Sequence, residues 1–138
     1  MIGWELTLRC NLRCRHCGSS AGSPRSNELT TKEALALCDQ FPDLLVQEVD
    51  FSGGEPLLCT DWKEIVLHLK DLKIHTNILI HGLDLTADKV KEIADAGITC
   101  VGLSVDARIF RCCCSLRRMC CCGLELKPSL SLSCTCSL

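Results

Sequence analysis

Cys10, Cys14 and Cys17 stand at C-x3-C-x2-C spacing in the run Cys10-Asn11-Leu12-Arg13-Cys14-Arg15-His16-Cys17. Three thiolates on one short loop can hold three irons of a [4Fe–4S] cube, which leaves the fourth iron open to an incoming molecule. Electron-transfer ferredoxins close all four positions with cysteine, so an open corner points to chemistry at the cluster rather than electron storage. The competing reading is a structural zinc site, which needs a fourth ligand at C-x2-4-C or H-x3-5-H spacing. His16 lies inside the run, but its adjacency to Cys17 places it poorly to share one tetrahedral ion. Further along, Gly53-Gly54-Glu55-Pro56 follows the predicted strand over residues 46–52. Two glycines let backbone approach a ligand closely, Glu55 supplies negative charge near a cationic group, and Pro56 fixes the exit of the chain.

A scaffold that brings these residues together can be read from the patterning. Residues 3–9 alternate and predict a first strand ending at Cys10, followed by a polar loop through Ser19, Ser20, Gly22, Ser23 and Pro24. Thr30 with Glu33 forms a capping box, opening a helix with Ala34, Leu35, Cys38 and Phe41 on one face. Residues 46–52 predict a second strand, halted by Gly53-Gly54. Asp61 with Glu64 caps a second helix that turns Ile65, Val66, Leu69 and Leu72 inward. Residues 73–80 predict a third strand. Thr86 opens a third helix with Val90, Ile93 and Ala94 inward, Gly97 stops it, and residues 98–105 predict a fourth strand. Strands alternating with helices form a parallel sheet with right-handed crossovers, whose ligands bind at the carboxyl ends of the strands. Cys10, Gly53, Gly82 and Ser104 all fall at those ends, so one active site on one edge of an α/β sheet is expected.

The chain has 138 residues and a net charge of −2 with both signs interspersed, which suits one domain and gives no nucleic-acid footprint. It has no run of eighteen apolar residues and no charged n-region before an apolar core, so neither a membrane span nor a secretory signal is expected, and the localisation expected is cytoplasmic. Of fourteen cysteines, eight lie in the last 27 residues. Residues 107–138 carry a net +4 against −6 for the first 106. Two compositions joined within a few residues predict two units: residues 1–107, and a Cys-rich low-complexity tail over 108–138, disordered or out of frame and foreign to the fold. The triplets Cys112–Cys114 and Cys120–Cys122 match no cluster spacing. Cys38, Cys59 and Cys100 read as small buried apolar residues.

On the three cysteines and the Gly-Gly-Glu-Pro turn, the chain resembles the radical S-adenosylmethionine (radical SAM) superfamily. The resemblance implies a partial (β/α)6 barrel, of which residues 1–107 would supply about four of six units. It leaves the fourth strand with an unpaired apolar edge. It implies Cys10, Cys14 and Cys17 as ligands of a [4Fe–4S] cluster whose open iron takes the amino and carboxylate groups of SAM. Gly53, Gly54, Glu55 and Pro56 would contact the methionyl ammonium, His16 would lie near the adenine, and Ser104 of Ser104-Val105-Asp106 would help hold SAM. Asp106 also suits a turn residue, and Ala107 stands where relatives usually have glycine. Where relatives end the third strand in Thr-Asn-Gly, this chain has Ile80-His81-Gly82, so only the glycine carries over.

The activity implied is reductive cleavage of SAM to methionine and a 5′-deoxyadenosyl radical that abstracts hydrogen from a substrate. The wording Trp4-Glu5-Leu6-Thr7-Leu8-Arg9-Cys10 and Cys17-Gly18-Ser19-Ser20-Ala21 looks like the branch that modifies peptides or builds peptide-derived and tetrapyrrole cofactors. Its expected partners are SAM, a peptide or cofactor precursor, and an external electron donor such as a flavodoxin or ferredoxin. Two alternatives stand beside it: a non-catalytic iron–sulfur or zinc binding module, and an inactive fragment.

Overall fold

The computed structural model describes residues 1–104 and, as a strand, residues 131–135. Its elements run β1 (Ile2–Thr7), α1 (Thr31–Cys38), β2 (Glu48–Gly53), α2 (Trp62–Asp71), β3 (His75–Ile80), α3 (Ala87–Ala96), β4 (Cys100–Ser104) and β5 (Ser131–Thr135). The five strands form one sheet in the order β1-β2-β3-β4-β5, and every neighbouring pair is parallel. Parallel neighbours need a crossover between them, which α1, α2 and α3 supply from β1 through β4. The register places Trp4 beside Phe51, Phe51 beside Ile78 and Ile78 beside Val101. These side chains build the face that the helices cover.

Between sheet and helices lies the core. Leu6, Val49, Phe51, Ile78, Ile80, Val101 and Leu103 come from the strands, and Ala34, Cys38, Trp62, Ile65, Val66, Leu69, Ile93 and Ala96 from the helices. Trp4 meets Phe51 edge-on at 5.7 Å between ring centroids and Phe41 at 6.3 Å. Each large apolar side chain taken out of water here stabilises the fold by about 1.5–3 kcal/mol. The opposite face of the sheet is polar. There the Asn77 amide donates to Glu48 Oε1 at 2.6 Å and to Asp50 Oδ1 at 2.7 Å. Among the described residues no buried side-chain nitrogen or oxygen lacks a hydrogen-bond partner, and no helix is long and apolar enough to cross a membrane.

The helix ends follow local chemistry, with one departure. Thr30 and Glu33 close the expected capping box, Thr86 accepts from the Lys89 amide, and Gly97 ends α3 at φ 102°. Asp61 occupies the N-cap of α2, yet its side chain caps nothing. Its carboxylate instead accepts the hydroxyls of Thr31 and Thr60, which hold it below the usual carboxylate range and tie the start of α1 to the start of α2. Leu35 and Leu72 are only half-buried, whereas Cys38 is fully buried as expected.

The fifth strand corrects two expectations. The composition break leads the sequence reading to place no strand after residue 105 and to leave the edge of β4 open. Instead Cys100 to Ser104 pair with Ser131 to Thr135 along the whole of β4. A signal for it is present: from Ser129 to Leu138 serine or threonine alternates with leucine or cysteine without a break, the period of a strand. The rest of the 108–138 segment, with the triplets Cys112–Cys114 and Cys120–Cys122, and also Asp106 and Ala107, lies outside the described residues.

Candidate functional site

Beyond β1 the chain turns into a loop held at its root. The Cys10 amide donates to Gly22 O at 3.0 Å and the Gly22 amide to Leu8 O at 2.8 Å, so the outgoing and returning strands of the loop run side by side. Glu28 locks this root by accepting the Thr7 hydroxyl at 2.9 Å and the amides of Leu8 and Arg25 at 2.8 and 3.0 Å. Burial raises its pKa, but these hydrogen bonds outweigh the burial and leave the carboxyl below its ordinary range. Cys10, Cys14 and Cys17 are all half-buried on this loop, and His16 is exposed.

The sulfurs sit in a setting suited to iron. The Leu12 amide donates to Cys10 Sγ at 3.4 Å and the Ala21 amide to Cys17 Sγ at 3.3 Å. Such N–H···S bonds are among the features that set a cluster's potential. With three thiols and no fourth cysteine nearby in sequence, the donor set fits a cube with one open iron. Among the described residues no three His, Cys, Asp or Glu side chains already converge as an ion cage.

The Gly53–Pro56 turn grips the base of the thiol loop. The Gly54 amide donates to Thr7 O and the Glu55 amide to Arg9 O, both at 2.8 Å. A Cβ on Gly53 would fall 2.4 Å from Thr7 O at φ +115°, and one on Gly54 would fall 2.3 Å from Arg9 O. Real side chains do not fit there. These glycines permit close approach to the backbone of residues 7–9.

Glu55 points inward, with 3% of its surface exposed. It accepts the His81 amide at 3.0 Å and the Leu57 amide at 3.3 Å, and its Oε2 lies 3.1 Å from His81 Nε2. Burial pushes its pKa up to about 7. The negative charge expected at this position is accordingly enclosed by the protein's own donors. Pro56 is buried and starts a single 3-10 turn, Pro56–Leu58.

His81 joins the two motifs. The Leu83 amide donates to its Nδ1 at 3.0 Å, which leaves the ring hydrogen on Nε2. Nε2–H then faces Asn11 Oδ1 at 2.7 Å as well as Glu55. The Asn11 amide in turn donates to Asp84 Oδ2 at 2.8 Å. Burial shifts the His81 pKa below its ordinary value, which favours the neutral ring this geometry requires. A cavity of about 160 Å³ opens beside this network, lined by Glu55, Ile80, His81, Gly82, Leu85 and Lys89 among others. Ser104 is half-buried at the end of β4.

Cys10, Gly53, Glu55 and Gly82 therefore meet at one corner of the sheet edge. Sequence reasoning does not reach Asn11, Glu28, His81 and Asp84 as members of this site. The available signals are an asparagine between two cysteines of the motif and a histidine where similar sequences end the third strand with asparagine.

Comparison with known proteins bears on this corner. The model of the radical SAM superfamily matches residues 4–108. The AdoMet-dependent heme synthase of Oleidesulfovibrio alaskensis is 34% identical over 107 residues, covering 77% of this chain and 28% of that protein. The PqqA peptide cyclase of Bradyrhizobium diazoefficiens is 38% identical over 101 residues, covering 72% and 27%. The chain thus spans little more than a quarter of the length of these curated relatives. Among solved structures, BtrN in complex with AdoMet and 2-DOIA superposes with a TM-score of 0.64 at 25% identity, over 75% of this chain and 44% of that one. Streptococcus suis SuiB bound to precursor peptide SuiA shares the fold at a TM-score of 0.64 and 24% identity, over 76% and 24%. Parallel βα units, a three-cysteine loop beyond β1 and the match over residues 4–108 lead to one conclusion: this chain belongs to the radical SAM superfamily.

Proposed function

We propose that this chain binds a [4Fe–4S] cluster through Cys10, Cys14 and Cys17 and cleaves SAM reductively to start radical chemistry on a peptide or cofactor precursor. The observation that carries the reading is the pair of hydrogen bonds from Gly54 and Glu55 to Thr7 O and Arg9 O. They make the thiol loop and the Gly-Gly-Glu-Pro turn one rigid corner. Cys10, Cys14 and Cys17 would hold the cluster, which when reduced would supply the single electron for cleavage of the SAM sulfonium to methionine and a 5′-deoxyadenosyl radical able to take hydrogen from a substrate. The protein's part is to position these groups and exclude water. Glu28 and Gly22 fix the root of the loop. Gly53, Gly54, His16 and Ser104 would line the approach for SAM, with Glu55 and Pro56 buried beneath them. A peptide substrate accords with a peptide cyclase and a peptide-bound SuiB among the similar proteins, and a tetrapyrrole with the heme synthase. A flavodoxin or ferredoxin in the cytoplasm would supply the electron.

Anaerobic reconstitution tests the ligand set. The parent chain should take up about four irons and four sulfides, the composition of one cube. Cys10→Ala, Cys14→Ala and Cys17→Ala should each lose the cluster's visible absorption, while Cys38→Ala, altered in the core, should keep it. One zinc without sulfide in the parent chain, or a retained cluster in Cys14→Ala, contradicts the assignment.

A further inference from the structure

The motif residues account for the sulfurs and for the turn beneath them, but not for what holds the segment between Cys10 and Cys14 against the sheet. Asn11 opens that segment, just past the root of the loop, and is itself exposed. An exposed loop residue keeps one orientation only if a partner fixed by the core holds it. That partner comes from 70 residues away in sequence: His81 Nε2, 2.7 Å from Asn11 Oδ1. His81 is fixed on its other sides. Its Nδ1 accepts the Leu83 amide at 3.0 Å, its own amide donates to Glu55 Oε2 at 3.0 Å, and its Nε2 lies 3.1 Å from the same oxygen. Gly82 follows at φ +74°, a conformation that turns the chain sharply after β3 and lets Leu83 reach back to the ring. Asp84, from the same turn, takes the other end of the Asn11 amide at 2.8 Å. Both ends of the amide are thus specified, one by a donor and one by an acceptor.

We propose that His81 is the positioning residue of the thiol loop: held by Leu83 and Glu55, it presents Nε2–H to Asn11 and pins the segment between Cys10 and Cys14 to the end of β3. The inference rests on the cluster reading above. His81 touches no sulfur. It acts through Asn11, as outer partners act on metal ligands elsewhere, where their loss typically costs 10–100-fold in metal affinity. Because the donor is Nε2, the side chain that can replace it is glutamine, whose amide nitrogen reaches the same distance. Asparagine reaches only the Nδ1 position and cannot span to Asn11.

The test uses the full chain, reconstituted anaerobically, with iron loss to a chelator timed by absorbance and the reduced cluster examined by electron paramagnetic resonance. His81→Asn and His81→Ala should lose iron roughly tenfold faster than the parent and show shifted g values, and His81→Gln should restore both. Asn11→Ala, a surface change that leaves the core intact, should reproduce the His81→Ala effect, and the double variant should be no worse than either alone. If His81→Ala fails to fold, Asn11→Ala and His81→Gln decide. Equal behaviour of His81→Gln and His81→Asn overturns the proposal, as does an unaltered cluster in Asn11→Ala. Variants that only lower the melting temperature show a structural histidine. A parent chain that loads no cluster overturns the parent reading instead, so the two failures can be told apart.

Discussion

Burial sets the state of Glu55. An ionised carboxylate with 3% exposure keeps its charge only through the donors around it. The His81 and Leu57 amides do not offset the desolvation, so the pKa rises from 4.5 to about 7. Between these two values the folded chain holds a proton that the unfolded chain releases, so the stability from this group falls as pH rises from 4.5 to 7. His81 works the other way. Its folded pKa lies below 6.5, so its contribution grows as pH rises towards that value. Glu55→Gln removes the first effect and keeps the second. Its stability relative to the parent should therefore increase between pH 5 and 8, by on the order of 3 kcal/mol at most, as read from urea midpoints at each pH. Parallel curves for the two proteins would show that Glu55 is ionised throughout. At this scale the gathering of the three cysteines on one loop is legible because their spacing is local. The Glu55–His81–Asn11 contacts are not, because they join residues 26 and 70 positions apart and no periodicity encodes that.

The elements were legible wherever a short-range rule decides them. The capping box at Thr30, the Thr86 cap and the left-handed Gly97 each satisfy helix-end groups with neighbours in sequence. Asp61 departs because its competitor, Thr31, is brought to it by α1–α2 packing. The Gly53-Gly54 turn needs the same distinction. Its glycines are readable, but the partner that requires them, the backbone of residues 7–9, follows from the pairing of β1 with β2. Gly54→Val should push Arg9 O aside and loosen the root of the thiol loop. We expect a loss of about 1–3 kcal/mol or more in denaturant titration together with reduced iron uptake. Gly3→Ala, whose Cβ meets nothing within 4 Å, should be neutral. Equal stability of the two variants would mean that the turn is not clamped to the loop.

Across the whole molecule, βα spacing was enough to give parallel neighbours and a site at one edge, because crossovers of one length and one hand leave few alternatives. The last strand was missed because a change in charge and cysteine content outweighed the serine–leucine alternation that marks it. Pairing along all of β4 gives residues 131–135 a place in the sheet. We propose that the compositional boundary near residue 107 still separates two units, with this strand as the exception. Truncation after Ala107 should bare the edge of β4, lower the melting temperature by several degrees and promote association between chains. An unchanged melting temperature would mean that the tail adds nothing to the sheet.

With three cysteines as its ligands, the proposed cluster would keep one iron open to SAM. The most direct measurement is the electron paramagnetic resonance spectrum of the reconstituted, reduced chain with and without saturating SAM. A new ligand at one iron changes the symmetry of the cluster, so g values should shift on adding SAM to the parent chain and stay fixed in Gly54→Val if that variant loads. A spectrum indifferent to SAM in a fully loaded parent chain would contradict SAM binding at an open iron.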